Sequence, residues 1–565
     1  MPGYSRVRVL LAAGGAVLLA LSAGAVFSRA QSAKPATFAI SGDRMLADIR
    51  TLSSDEFQGR GPGTKGEDLS IAYVEKQFRD AGLEPGNPDG TYLQNVPLVG
   101  IRPDPSMELT FSGHGATLRE KYRDDFIALT TRTDPTVKLD GDLVFVGYGV
   151  QAPEYSWDDF KGVDVKGKVL VVLINDPPVK KGADLDPAVF GGKAMTYYGR
   201  WTYKYEEAAR RGAAGCIIVH ETIPAAYPWE VVRNSWGGEQ FSLESAGADS
   251  KDLAVRGWIT HEVAQSLFKA AGYDYEALKA QAVSRDFHPV ALGMRASLEI
   301  HDAVRRIQSH NVIGKLAGSD PQLKNQYVIY TAHWDHFGIG PEINGQNIYH
   351  GALDNGSGSA TLLELARAFG AQKPRPKRSM LFLSVTAEEQ GLLGSAYYAQ
   401  HPLYPLEKTL ANINIDGLQR AGRARDLEVV GFGNSTLDDL AGSILAEAGR
   451  VLVPDTETEK GSFYRSDHFE FAKVGVPAFY TKAGVDILGQ PADYGRRLRD
   501  EYTTRDYHKP TDVIKPWWDL RGAAEDARVL FRMGLAISRD EAWPQWKPGC
   551  EFKGRRDAML AGAPR

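Results

Sequence analysis

Apolar residues follow two different spacings along the chain, and each spacing predicts a different kind of element. Between residues 41 and 97 they recur every three or four positions, which predicts amphipathic helices separated by loops rich in Gly and Pro. From residue 139 onward, short apolar runs at 143–150 and 167–174 end in turn-forming residues, which predicts β-strands. One helix is predicted in this stretch, at 205–211, so we expect an inserted domain that is rich in β-structure.

After residue 298 the order strand, loop, helix, strand recurs, which predicts a largely parallel sheet with helices on both faces. Three of its apolar runs lead directly into imidazole or carboxylate side chains: 327–332 before His333, 381–387 before Glu388 and Glu389, and 410–415 before Asp416. In open α/β sheets, ligands bind beyond the carboxyl ends of the strands. The pattern therefore predicts an α/β fold with a functional site at that edge.

Composition excludes several classes of protein. Of the 565 residues, 43% are hydrophobic and 24% are charged, so disordered, collagen-like and polytopic membrane proteins are excluded. Sixty-six Lys and Arg against 71 Asp and Glu leave a net charge of −5, so we expect no nucleic-acid partner. The two cysteines, Cys216 and Cys550, are too few for a disulfide framework, and the sequence does not decide whether they pair.

The N-terminus has the pattern of a secretory signal. Arg6 and Arg8 precede an acid-free apolar run at 9–27, and small residues flank candidate cleavage sites at 23–25 and 28–30. We expect cleavage, export to the periplasm or the medium, and no stable insertion into the membrane. An uncleaved segment would instead anchor the protein to the membrane.

Two segments of the α/β part carry candidate chemistry. In Ala332-His333-Trp334-Asp335, the imidazole could bind a metal while the carboxylate orients it; the alternative is a polar turn. Asp354 opens the run Asp-Asn-Gly-Ser-Gly-Ser before an apolar helix pattern at 361–366, where the alternative is ordinary helix capping.

Three further positions add to this set. Glu388 and Glu389 leave a buried strand side by side, and adjacent carboxylates repel unless they share a cation or a proton. A metal ligand beside a general base satisfies that condition. Asp416 ends another buried strand, where a lone carboxylate would lose hydration without compensation. His508 supplies a second imidazole.

Together these segments resemble the M28 family of zinc peptidases, which share His-x-Asp, Asp-Asn-Gly-Ser-Gly, Glu-Glu-x-Gly-Leu-x-Gly-Ser, Asp-Gly and a late His in this order. The resemblance implies two Zn²⁺ per chain. The ligands that it implies are His333 and Asp416 for one ion, Glu389 and His508 for the other, and Asp354 for both.

The resemblance also implies three catalytic roles and one backbone feature. Glu388 would be the general base toward a metal-bridging water that attacks the peptide carbonyl, and Asp335 would orient His333. Tyr507 would donate to the developing oxyanion, or else pack as an aromatic at the sheet edge. The peptide bond after Asp354 would be cis.

The resemblance extends to the inserted part, which looks like the protease-associated (PA) domain found in some of these peptidases, and it implies a zinc-peptidase type of α/β fold. We divide the chain into a signal segment, the first part of the peptidase domain, the inserted PA-like domain, the second part with the metal site, and a polar tail: 1–30, 31–117, 118–298, 299–545 and 546–565.

The predicted function is removal of N-terminal residues from peptides. Glu388, Asp335, Asp416 and Asp467 would surround a free α-ammonium with negative charge. A carboxypeptidase would be expected to offer several arginines to the terminal carboxylate, and only Arg465 lies near the motifs, so amidation of the peptide's C-terminus should matter little.

Other functions remain open on the same scaffold. Carboxypeptidase, dipeptidase or glutaminyl-cyclase-like action would use the same metal site, and product analysis distinguishes them. A receptor-like protein without catalysis would be expected to lack ligands, whereas all five positions are filled. The sequence does not determine the oligomeric state.

Overall fold

Four parallel strands form the centre of the sheet on which the candidate site is built. The computed structural model describes residues 38–244, 253–539 and 542–562, so the predicted signal at 1–30 lies outside it. The four strands lie side by side in the order Ser379–Val385, Tyr327–His333, Thr409–Asn414 and Ala478–Lys482. The three apolar runs predicted as strands are therefore confirmed, as is the largely parallel central sheet.

Antiparallel strands extend the sheet on both sides, which makes it mixed. Asp426–Val430 pairs antiparallel with Ala478–Lys482 and parallel with Val451–Pro454. On the other side, the C-terminal end of the 27-residue strand Val290–Leu316 pairs antiparallel with Ser379–Val385. This long strand pairs with different strands along its length, which extends the sheet toward the N-terminal part of the chain.

Helices cover both faces of the central strands. Ile329 packs in a cluster with Tyr398 and Phe471, which lie on the helices Leu393–Gln400 and His468–Lys473. The next residue, Tyr330, points to the opposite face, where its ring meets Phe369 and its hydroxyl donates to the Leu530 carbonyl. The helices on this side and nearby are Gly42–Leu52, Lys65–Asp80, Gly358–Ala371, Leu437–Glu447 and Arg521–Arg539.

The β-rich part has a core of its own, formed by buried residues between Met107 and Ile300. Its strands include Glu108–Gly113, Ala116–Lys121, Phe126–Leu129, Thr136–Phe145, Val169–Leu173, Gly215–Val219 and Val255–Ile259. The N-terminal half of Val290–Leu316 pairs with Thr136–Phe145, and its C-terminal end pairs with Ser379–Val385. This one strand therefore connects the β-rich part to the central sheet. The exact limits 118–298 of a PA-like domain stay a prediction.

This β-rich part contains more helix than its sequence pattern predicts. The predicted helix is present as Trp201–Arg210, but Trp229–Trp236, His261–Ala270 and Tyr275–Gln281 are helical as well. Each of these three is ten residues or fewer, so packing against the strands rather than a long periodic pattern stabilises it.

Cys216 and Cys550 are both free thiols.

The described residues contain no helix with the length and hydrophobicity that crossing a lipid bilayer requires.

Candidate metal centre

The predicted ligands converge at the carboxyl edge of the parallel strands. His333 is the last residue of its strand, Glu389 lies in the short helical turn Glu388–Gln390, and Asp416 follows Thr409–Asn414 by two residues. Asp354 and His508 come from loops that reach the same edge, and both are buried. The structure thus brings all five residues together.

Asp354 lies between two imidazoles and presents one oxygen to each. Its Oδ1 is 3.4 Å from His333 Nε2, and its Oδ2 is 3.3 Å from His508 Nε2. Asp416 Oδ1 lies 3.7 Å from His333 Nε2, and Glu389 Oε2 lies 3.2 Å from His508 Nε2. This is the pairing that the resemblance implies, with Asp354 between the two halves.

The donor atoms fit transition-metal binding. Nε2 of His333 and Nε2 of His508 are buried, and neither has a hydrogen-bond partner among the residues that the structure describes. Two atoms that each lie about 2.0–2.1 Å from one tetrahedral zinc are about 3.3 Å apart, close to the separations observed here. Imidazole nitrogen and carboxylate oxygen are ligands that zinc accepts. The residues present therefore suit a metal centre.

Distance alone does not separate ligand from base at His333. Glu388 Oε2 lies 3.8 Å from His333 Nε2, practically as close as Asp416. Potential metal-binding groups are formed both by His333 with Asp354 and Glu389, and by His333 with Glu388 and Asp416. The roles of Glu388 and Asp416 thus stay predictions that variants can test.

Charge is concentrated in this cluster. Burial alone would lower the pKa of His508, but Glu389 and Asp354 outweigh it and raise that pKa to about 9. Burial also raises the pKa of Glu388 well above its usual range; His333 opposes this shift, whereas Glu389 adds to it. Buried carboxylates in such numbers require cations, which divalent metal ions would supply.

Local hydrogen bonds explain why the Asp354 turn has the sequence Asp-Asn-Gly-Ser-Gly. Asn355 Oδ1 accepts from the backbone N–H groups of Gly358 and Gly417, and Asn355 Nδ2 donates to the Ile415 carbonyl. Asn355 therefore both caps the following helix and ties this turn to the Asp416 strand end. A Cβ at Gly358 would lie 2.2 Å from Asn355 Oδ1, so only glycine fits there. The Asp354–Asn355 peptide bond is cis.

Asp335 supports the site through the backbone as well as through His333. Its carboxylate accepts from the N–H of Glu388 at 3.0 Å and from the N–H of Glu389 at 3.4 Å. His333 Nδ1 lies 3.2 Å from the Asp335 carbonyl oxygen and 3.7 Å from its carboxylate. Asp335 thus orients His333 mainly through its carbonyl, while its side chain fixes the turn that carries the glutamates.

Tyr507 packs on a candidate ligand and also lines the cavity, while its role toward an oxyanion stays a prediction. Its ring packs on His508 with centroids 3.7 Å apart, and it lines a cavity together with Glu388 and Glu389. Burial, reinforced by Asp354 and Glu389, raises the pKa of Tyr507 well above its usual range. The hydroxyl is therefore protonated at neutral pH and can donate.

Several supporting residues were not found from the sequence. His336 Nδ1 lies 2.5 Å from Glu389 Oε1, Ser466 donates to Asp416 Oδ2, and Asp512 accepts from the N–H of Asp354. All three lie within or beside segments singled out above, so the motifs themselves were the available signal. Ser235 also lies at the site, 2.7 Å from His508 Nδ1, but nothing in its local sequence marks it.

Arg60 fixes the backbone beneath the site. It is fully buried, and its guanidinium donates to four carbonyls: those of Leu52, Trp334, His350 and Gly351. Burial lowers its pKa to about 10, although Asp512 and other carboxylates oppose this shift. Arg60 therefore connects the His333 strand end to the loop that leads into Asp354.

Comparison with known proteins identifies the class. Residues 311–529 match the family model for peptidase family M28. The chain therefore carries an M28 peptidase domain, as the sequence motifs predict, and all five candidate ligands lie within it. The fold is that of the aminopeptidase from Aneurinibacillus sp. strain AM-1: the match has a TM-score of 0.52 and 19% identity and covers 90% of this chain and 95% of that one.

Curated relatives match shorter stretches. The leupeptin-inactivating enzyme 1 of Streptomyces exfoliatus is 32% identical over 259 residues, which cover 45% of this chain and 54% of that protein. Aminopeptidase NAALADL1 of Mus musculus is 36% identical over 130 residues, which cover 22% of this chain and 16% of that protein. The chain thus spans about half or less of these relatives.

Proposed function

We propose that this protein is a zinc-dependent aminopeptidase with two metal ions per chain. The observation that carries the proposal is the position of Asp354, with one carboxylate oxygen facing each of two buried imidazole nitrogens that have no hydrogen-bond partner among the described residues. The aminopeptidase names of the NAALADL1 relative and of the Aneurinibacillus protein support this choice of reaction.

Five side chains would hold the ions: His333 and Asp416 the first, Glu389 and His508 the second, and Asp354 both. Three carboxylates offset most of the positive charge of two divalent cations, which suits a buried centre. When bound, the ions would polarise the peptide carbonyl and make a water molecule more acidic.

Glu388 would move the proton. Its side chain is almost fully buried and lines the same cavity as Asp354 and Tyr507. Burial raises the pKa of this carboxyl, which makes it able to accept a proton from water and return it to the leaving amine. The Tyr507 hydroxyl would donate a hydrogen bond to the oxygen on which negative charge develops.

The end of the substrate that is bound follows from charge. The ions would offset Asp416 and the other two ligand carboxylates, whereas Glu388, Asp335 and the buried Asp467 add negative charge beside them, so a free α-ammonium would be attracted there. We infer that the protein removes N-terminal residues. The signal-like N-terminus supports export to the periplasm or the medium.

A peptide library with mass-spectrometric detection tests this proposal. The purified mature protein, loaded with Zn²⁺, should shorten peptides stepwise from the N-terminus, and N-acetylation should abolish cleavage. Loss of residues from the C-terminus would support the carboxypeptidase alternative, and cyclisation of N-terminal glutamine would support the cyclase alternative. Intact peptides after long incubation with zinc-loaded protein would overturn the proposed hydrolysis.

A further inference from the structure

Two arginines that are 265 positions apart in sequence line one cavity beside the metal centre. Arg200 immediately precedes the helix Trp201–Arg210, and Arg465 follows the turn Ser462–Tyr464. Both border the cavity that Glu388, Glu389 and His508 also line. Arg200 is only 8% exposed, so its charge is largely removed from water.

Neither guanidinium is neutralised by a carboxylate in the described part of the chain. The Arg200 guanidinium lies over the Trp201 ring, and Arg465 lies over the Tyr227 ring and donates to the Ala225 carbonyl. Within residues 38–244, 253–539 and 542–562, the buried Nε atoms of both arginines have no hydrogen-bond partner.

The carboxylates that share this cavity are engaged elsewhere. Glu206 accepts from the Tyr197 hydroxyl, and Glu470 pairs with Lys473 at 3.0 Å. Glu389 contacts His336 and His508 at the metal centre. Glu388, the remaining carboxylate of this cavity, lies 3.8 Å from His333 Nε2, so the described residues provide no carboxylate partner for the two arginines.

Two neighbouring arginine charges make the state without a bound anion less favourable. Burial, together with the neighbouring positive charge of Arg465, lowers the pKa of Arg200 to about 10, yet the group stays protonated at neutral pH. Two like charges that are partly desolvated cost free energy unless an anion joins them. A carboxylate can accept hydrogen bonds from both guanidinium groups, whose planar donors match its geometry.

We propose that Arg200 and Arg465 form a binding site for a carboxylate of the peptide substrate, and that this carboxylate is the free C-terminus of a short peptide. The inference rests on the proposed function, because it assumes that a peptide occupies the cavity beside the metal centre. The acidic centre would then bind the α-ammonium, and the arginines would bind the other end. The protein would prefer short, unmodified peptides.

This inference changes one expectation from the sequence. C-terminal amidation was expected to matter little because Arg465 was the only arginine near the motifs. In the folded chain Arg200 comes to lie beside it, so amidation should remove the group that both arginines bind.

The test compares free acids with C-terminal amides of the same peptides, with two to five residues and N-terminal leucine. At the peptide length for which the C-terminus reaches the arginines, amidation should lower kcat/KM at least about tenfold. This is the loss expected when charge-assisted hydrogen bonds to the carboxylate are removed. In Arg200→Met and in Arg465→Gln, the ratio of acid to amide should fall toward one. Lys473→Gln is the matched control, because Lys473 lines the same cavity but already pairs with Glu470; its ratio should stay that of the wild type.

Two further measurements separate the possible explanations. If Leu-Glu-amide is cleaved at least about tenfold faster than Leu-Gln-amide, and Arg200→Met removes this preference, the carboxylate comes from a side chain rather than the terminus. Thermal unfolding of Arg200→Met shows whether the arginine is structural: removing a buried unpaired charge should leave Tm unchanged or higher. A strongly lowered Tm would place Arg200 in the packing and overturn its assignment to a binding site.

Failure of this inference is distinguishable from failure of the proposed function. Equal cleavage of acids and amides at every length, with no preference for acidic side chains, would overturn the carboxylate site and leave the peptidase proposal intact. If no peptide is cleaved, the peptidase proposal fails. Calorimetric binding of Leu-Leu and Leu-Leu-amide then still decides the inference, since equal affinities would overturn it.

Discussion

The Ser235 hydroxyl lies 2.7 Å from Nδ1 of His508, so a helix of the β-rich part orients a candidate metal ligand of the peptidase part. Asn234, the preceding residue, donates to the backbone carbonyl of His508. When Nδ1 carries the proton and donates to Ser235, Nε2 retains the lone pair that a metal requires. The two parts of the chain are thus connected at the site itself.

Ser235→Ala should weaken metal binding by about 10- to 100-fold, the usual cost of removing a hydrogen bond to a ligand histidine. Titration with a buffered series of free Zn²⁺ concentrations measures this effect. Ser266→Ala is the matched control, because Ser266 lies on another helix of the same part and donates to the Glu262 carbonyl of its own helix. Equal zinc affinities of wild type and Ser235→Ala would show that the contact has no orienting role.

Glu388→Gln should keep both metal ions and lower kcat by at least about a hundredfold, because it removes proton transfer and leaves the five ligands in place. Steady-state kinetics with elemental analysis of the same sample measures both quantities. Glu389→Gln provides the contrast, since Glu389 is the predicted ligand and its variant should lose metal. Near-normal turnover of Glu388→Gln would reject its role as the base.

Asp354→Ala should lose metal as well as activity, because its two oxygens face the two halves of the site. The comparison is Asp416→Ala, which should weaken only the ion at His333. Elemental analysis after dialysis against a weak chelator gives the zinc content of each variant. Two zinc ions per chain retained in Asp354→Ala would refute a shared ligand.

His468 should make the protein less stable at acidic pH. It is fully buried, neither ring nitrogen has a hydrogen-bond partner in the described part of the chain, and burial lowers its pKa to about 3. The unfolded chain, with a histidine pKa of about 6.5, then binds more protons than the folded chain between these values, so stability falls as pH decreases below about 6.5. Between pH 7 and pH 5 this loss is about 2 kcal/mol.

Urea unfolding at pH 7 and pH 5 tests this prediction. His468→Phe should lose about 2 kcal/mol less than the wild type over this range, whatever its absolute stability. His301→Phe is the control for replacing an imidazole by a phenyl ring, because the His301 side chain is 59% exposed. The same pH dependence in His468→Phe as in the wild type would show that burial does not lower the pKa of His468.

The sequence by itself determined the central sheet and the set of candidate ligands. The runs 327–332, 381–387 and 410–415 are continuous apolar stretches because their strands are buried on both faces, and such strands form at those positions with shifts of only one or two residues. Parallel strands bring their carboxyl ends to one edge, so the side chains that follow them must converge. Local pattern and strand direction were sufficient for this part.

Only the tertiary structure decided which residues support and extend the site. Ser235, Arg200 and Arg60 are far in sequence from the motifs, and serines or arginines in such segments are ordinary residues of helices and loops. Ser235 and Arg200 acquire their roles because the β-rich part packs beside the peptidase part, which places Ser235 on His508 and Arg200 next to Arg465. Arg60 acquires its role because its segment packs against the loop that leads into Asp354. Such contacts depend on the relative position of distant elements, and no local spacing in the sequence encodes that position.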